Sequence, residues 1–78
     1  MMTPEHVRDL IAQGLECDHL EVAGDGAHFE AVIVSRAFEG KSRVARHQLV
    51  NRALGSQMGN EIHALSMKTL TPQEWKPA

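Results

Sequence analysis

Five histidines, one cysteine and a run of basic side chains are the groups in this 78-residue chain best equipped to do chemistry. The histidines are His6, His19, His28, His47 and His63, and the cysteine is Cys17. An imidazole carries protons near neutral pH or ligates borderline metals. Cys17 and His19 are two residues apart, which places a thiol and a base on one strand face, but no third group orients the base. Cys17 therefore reads as a small, partly buried residue at a helix–strand junction. The chain holds no P-loop, G-x-G-x-x-G, G-x-S-x-G or H-E-x-x-H pattern, so it is expected not to be an enzyme. His6 belongs to the surface of a first helical turn, and His47 follows Arg46 on a basic helix. His63 opens a strand inside the apolar stretch Ile62-His63-Ala64-Leu65, where an imidazole is either a hydrogen-bonded structural group or a ligand at the sheet edge. His28 stands where a tight turn meets a β-prone run, in G-D-G-A-H-F-E-A-V-I-V.

Charge is divided along the chain. Net charge is −2, which gives no overall attraction to nucleic acid. Residues 1–30 hold seven of the ten acids and a single base, Arg8. Residues 36–52 hold Arg36, Lys41, Arg43, Arg46 and Arg52 against one acid, Glu39. A basic side made of Lys41, Arg43, Arg46, His47 and Arg52 is the expected surface for phosphates or an acidic protein, beside the plainer reading of a solvated helix face.

The elements that must position these groups follow from pattern. Thr3-Pro4-Glu5 is a helix start: a hydroxyl cap, proline at the first helical position and an acid facing the dipole. Val7, Leu10, Ile11 and Leu15 recur at helical spacing, and Gly14 marks the helix end. His19–Ala23 is a short strand, Gly24-Asp25-Gly26 a turn, and His28–Val34 a second strand. Phe29, Ala31 and Ile33 form its apolar face. Ser35–Ser42 is a loop with Phe38 pinned inward, and Ser42 caps a second helix reaching Leu54. Ala45, Leu49, Val50, Ala53 and Leu54 are its buried stripe, with Arg43, Arg46 and Arg52 pointing elsewhere. Gly55 stops that helix, Ser56–Asn60 adds a helical turn, Ile62–Leu70 is the third strand, and Thr71–Trp75 opens a terminal turn. The order is α-β-β-α-α-β. A right-handed crossover makes strands two and three parallel, which predicts an α+β fold with a three-stranded mixed sheet and helices on one face.

Size and composition set the limits. The chain has room for one domain, residues 1–78, with a thin and mainly aliphatic core, since Phe29, Phe38 and Trp75 are its aromatics. Its apolar runs are about five residues, against roughly 20 for a membrane span. The opening MMTPEHVRDL lacks the basic and apolar regions of a secretory signal. One cysteine allows no internal disulfide. A cytoplasmic protein without membrane contact is expected, monomeric or weakly dimeric when alone.

Three segments together resemble the BolA family. They are F-E-G-K-S-R-V-A-R-H-Q-L-V-N-R-A-L (Phe38–Leu54), E-I-H-A-L-S-M-K-T (Glu61–Thr69) and T-P-Q-E-W (Thr71–Trp75). The hairpin G-D-G-A-H-F-E-A-V-I-V-S extends the likeness over nearly the whole chain and makes it most similar to the short bacterial members of the IbaG type. The resemblance implies an α-β-β-α-α-β fold similar to the class II KH fold. It also implies association with a monothiol glutaredoxin bearing a C-G-F-S motif, and a [2Fe–2S] cluster shared with that partner and glutathione. One cysteine cannot supply the four ligands of such a cluster, so the chain is expected to hold none alone. The family's I-H-A ligand matches His63. The second family ligand is a histidine or cysteine from the loop between strands one and two. Here that loop, residues 23–27, has neither, and His28 is the nearest candidate. Some family members are described as DNA-binding regulators. KH domains grip phosphates with a G-x-x-G loop, whereas Gly55-Ser56-Gln57-Met58-Gly59 spaces its glycines one residue wider and carries no base.

Overall fold

Thr3 begins the fold as anticipated. Its hydroxyl accepts a hydrogen bond from the His6 N–H at 3.1 Å, and Pro4 sits in the first turn of helix α1 (Pro4–Gly14). The computed structural model describes residues 2–55, 62 and 64–75. Strand β1 (His19–Gly24) and strand β2 (His28–Val34) form an antiparallel hairpin. A 3₁₀ turn, Arg36–Phe38, follows within the expected loop, and helix α2 (Arg43–Leu54) is capped by Ser42. Strand β3 (Ala64–Leu70) runs parallel to β2, giving the sheet order β1-β2-β3. The anticipated turn over residues 56–60 lies outside the described residues, as does His63.

The two helices share one face of the sheet, because alternation in β2 gives them a common apolar surface. Phe29, Ala31 and Ile33 are buried against Val7 and Ile11 of α1 and Val50 and Leu54 of α2. Phe38 and Ile62 complete this core, both fully buried. α1 and α2 approach so closely that a Cβ on Gly14 would lie 2.7 Å from the Ala53 Cβ. Gly14 thus ends α1 and also lets the helices cross.

Ser35 joins three segments just past β2. Its N–H donates to the Leu70 carbonyl at 3.0 Å. Its buried hydroxyl donates to the Glu16 carbonyl at 2.6 Å and accepts from the Ala37 N–H at 3.1 Å. A single small side chain therefore ties the end of β2 to the lead-in of β1 and caps the 3₁₀ turn.

Candidate functional site

The hairpin end presents His28. Asp25 builds this end: its Oδ1 accepts from the N–H of His28 at 2.9 Å and of Ala27 at 3.0 Å, while its own N–H donates to the His28 carbonyl at 3.1 Å. Those backbone donors, His28 first, hold the Asp25 carboxyl below its ordinary range. Gly26, at φ 101°, supplies the left-handed conformation that the turn needs. Gly24 lets the last rung close, because a Cβ there would lie 2.4 Å from the His28 carbonyl oxygen. The His28 side chain is exposed and makes no hydrogen bond to the described residues. With Asp25 and Glu30 it lines a shallow depression of about 320 Å³. In the β2–β3 ladder His28 pairs with Ala64, the residue that follows His63 in the chain. Asp25 Oδ1 is thus spent on the turn, and the imidazole at the mouth of β2 has no hydrogen-bond partner among the described residues.

The basic residues of α2 divide into three environments. Arg43 and His47, one turn apart, line a groove of about 360 Å³ beside β3. Lys41 lies in an adjoining depression. Arg52 is nine residues past Arg43, about half a revolution round the helix at roughly 100° per residue, and is exposed away from that groove. Arg46 departs from the expected solvent-facing stripe. Its Nε donates to the Lys41 carbonyl at 2.9 Å and one terminal nitrogen to the Thr69 carbonyl at 3.0 Å. Both terminal nitrogens grip Glu74, at 2.7 and 3.2 Å, and the guanidinium carbon lies 5.9 Å from the Phe38 ring centre. Arg46 is a clamp on the terminal turn.

Glu74 is the other half of that clamp, and T-P-Q-E explains its position. The Thr71 hydroxyl accepts from the Glu74 N–H at 3.1 Å, and the Glu74 carboxylate accepts from the Thr71 N–H at 2.9 Å. This reciprocal capping box orients the carboxylate toward Arg46. The hydrogen bonds from Arg46 foremost, then from Thr71, push the Glu74 carboxyl down to about 2. One residue on, Trp75 stacks on His19 with ring centres 4.4 Å apart and planes 17° from parallel. His19 Nε2 also lies 3.3 Å from a Glu21 oxygen. Cys17 donates its thiol to the Leu15 carbonyl at 3.3 Å, and burial, ahead of the nearby Asp18 charge, pushes that thiol up. The capping-box spelling was a local signal for the Thr71–Glu74 turn; the His19–Trp75 stack has no local signal.

Among the described residues, no three His, Cys, Asp or Glu side chains gather in a way that would hold a metal ion. No helix among them is long and apolar enough to cross a membrane.

Comparison with known proteins agrees with this architecture. The chain is 48% identical over 82 residues to Protein BOLA2 of Arabidopsis thaliana, covering 99% of this chain and 87% of the relative. It is 36% identical over 75 residues to the acid stress protein IbaG of Escherichia coli, covering 95% and 89% respectively. The structure of a bolA protein homologue from Coxiella burnetii superposes with a TM-score of 0.81 at 47% identity, covering 95% of this chain and 96% of that one. The model of the BolA-like protein family matches residues 6–74, and the chain belongs to that family.

Proposed function

We propose that this chain is a non-enzymatic partner of a monothiol glutaredoxin, giving imidazole ligands to one iron of a shared [2Fe–2S] cluster in iron–sulfur trafficking or iron-linked regulation. The observation that carries the reading is the exposed His28 imidazole at the sheet end, on a residue whose backbone pairs in the ladder with the residue next to His63. His28 and His63 are the residues of this chain that would hold one iron; the glutaredoxin thiolate and glutathione would serve the other. The cluster, when bound, supplies redox-active and transferable iron, and two imidazoles in place of two thiolates raise its potential. The chain's own contribution is to hold an imidazole at a fixed place. The Asp25 turn does this by anchoring the His28 backbone on both its N–H and its carbonyl. Because a protonated imidazole cannot ligate, sharing weakens as pH falls.

Visible circular dichroism of the protein mixed with a cluster-loaded C-G-F-S glutaredoxin tests the proposal. A new spectrum, lost on His63→Ala, is the expected outcome. A spectrum that stays that of the glutaredoxin alone refutes it.

The alternative is a KH-like nucleic-acid-binding regulator using α2. Arg43, His47 and Lys41 offer few phosphate contacts, since Arg46 is committed to Glu74 and Arg52 faces elsewhere. Retention of a promoter fragment at physiological salt, lost on Arg43→Ala, would reverse the ranking.

A further inference from the structure

We propose that the open edge of β3 accepts an acidic extended peptide as a fourth strand of the sheet, at a place separate from the His28 end. The sheet order leaves β3 with β2 on one side only. Backbone directions on β3 follow from two hydrogen bonds. The Leu70 carbonyl accepts from Ser35 and so points toward β2, whereas the Thr69 carbonyl accepts from Arg46 on the opposite side. Backbone groups alternate along a strand as side chains do. Lys68 therefore shares the inward direction of Leu70, and Met67 shares the outward direction of Thr69. Arg46 occupies the Thr69 carbonyl. The Met67 N–H and carbonyl remain on the open side, with no further backbone partner among the described residues, whereas Thr69 is itself buried, with Arg46 on its carbonyl. An open N–H and carbonyl on one residue are what a strand-adding peptide pairs with through its main chain.

The flanks select the occupant. The groove along this edge is lined by Arg43, His47, Met67, Lys68, Thr69 and Leu70. It touches consecutive residues from both faces of β3, so it follows the edge itself. No carboxylate lines it, and the nearby Glu74 is neutralised by Arg46. Lys68 is exposed. A lysine on an edge strand repels apolar or basic strands and so guards against indiscriminate pairing. The same lysine, with Arg43 and His47 across the groove, attracts a strand carrying carboxylates. Open main-chain groups favour a peptide over a nucleic acid, because a phosphate backbone cannot continue the ladder and the groove offers a single ring, that of His47, for base stacking. Ala64, opposite His28, lies at the other end of β3, six residues or about 20 Å from Leu70. The groove itself stops at Met67, three residues or about 10 Å short of Ala64.

The test uses the full chain and a fluorescein-labelled seven-residue peptide alternating valine and glutamate. Fluorescence anisotropy should show saturable binding, and amide hydrogen exchange at Met67 should slow at least tenfold on saturation. The double variant Arg43→Glu, Lys68→Glu should lose affinity at least tenfold and acquire affinity for the valine–lysine counterpart, while Arg52→Glu binds like the parent. Binding without slowed exchange at Met67, or no binding to the folded parent, overturns the proposal. So does a twelve-nucleotide single strand that binds where the peptide does not. The exchange result on the parent decides the matter even where the double variant does not fold.

Discussion

Replacing Gly24 by alanine tests the account of how His28 is presented. The added Cβ would stand 2.4 Å from the His28 carbonyl oxygen, 2.6 Å from Phe29 Cδ1 and 3.0 Å from Phe29 Cα. Non-bonded carbon contacts settle near about 3.5 Å, so the last rung must open by roughly 1 Å. The His28 carbonyl is also the acceptor of the Asp25 N–H at 3.1 Å, and a displacement of that size removes the bond, worth about 1 kcal/mol. Overpacking adds about 1–3 kcal/mol, while stiffening of the unfolded chain returns about 0.5 kcal/mol. The net loss is about 1.5–3.5 kcal/mol, which corresponds to a fall in Tm of roughly 6–28 °C for a domain of this size. Gly40→Ala is the matched comparison. Its φ is +75° but nothing lies within 4 Å of the added Cβ, so left-handed strain of about 1 kcal/mol is its whole cost. Far-UV circular dichroism melts of the two variants should rank Gly24→Ala well below Gly40→Ala. Equal melting temperatures, or a Gly24→Ala melt within about 2 °C of the parent, would refute the close-approach argument.

Three other outcomes are expected. Ser35→Ala strips the Glu16 carbonyl and the Ala37 N–H of their shared partner, and urea denaturation should show a loss of about 1–3 kcal/mol; an unchanged midpoint would mean that water replaces the hydroxyl without cost. Glu74→Gln probes the terminal clamp through pH. The folded carboxyl is pushed down to about 2 from an ordinary 4.5, so its stabilisation is full above pH 4.5 and is lost as pH falls toward 2. The gap in Tm between parent and variant should be open at pH 7 and closed near pH 2; a gap that persists there contradicts the assignment. His28→Ala removes an exposed side chain, so stability should change by no more than about 0.5 kcal/mol while the shared-cluster spectrum is lost. A retained spectrum would remove His28 from the ligand set.

What was legible in the sequence was whatever depended on near neighbours. The Thr3-Pro4 start, the alternation of Phe29, Ala31 and Ile33, and the Ser42 cap each involve residues within a few positions, and each appears in the structure. The parallel pairing of β2 with β3 followed from the right-handed crossover expected through the helices between them. Arg46 was misassigned to the solvent face because its partner, Glu74, is 28 residues away. No local pattern distinguishes its charge from those of Arg43 and Arg52. Asp25 shows the same limit at short range: the turn was plain, but the double grip of its Oδ1 on the backbone depends on geometry that spelling does not display. His28 was placed correctly at the mouth of β2. His63, the other ligand assigned from the family likeness, lies outside the described residues.

The stack of Trp75 on His19 carries a practical consequence. Trp75 is the only tryptophan in the chain and there is no tyrosine, so ultraviolet emission above 295 nm excitation comes from this one ring. The ring sits on the turn that Arg46 and Glu74 clamp, and it touches the first residue of β1. Any event that lifts the terminal turn from the sheet therefore exposes the fluorophore and shifts its emission to the red. The protein carries an unlabelled optical gauge of whether its tail is seated, readable in the same cuvette as a titration with a partner.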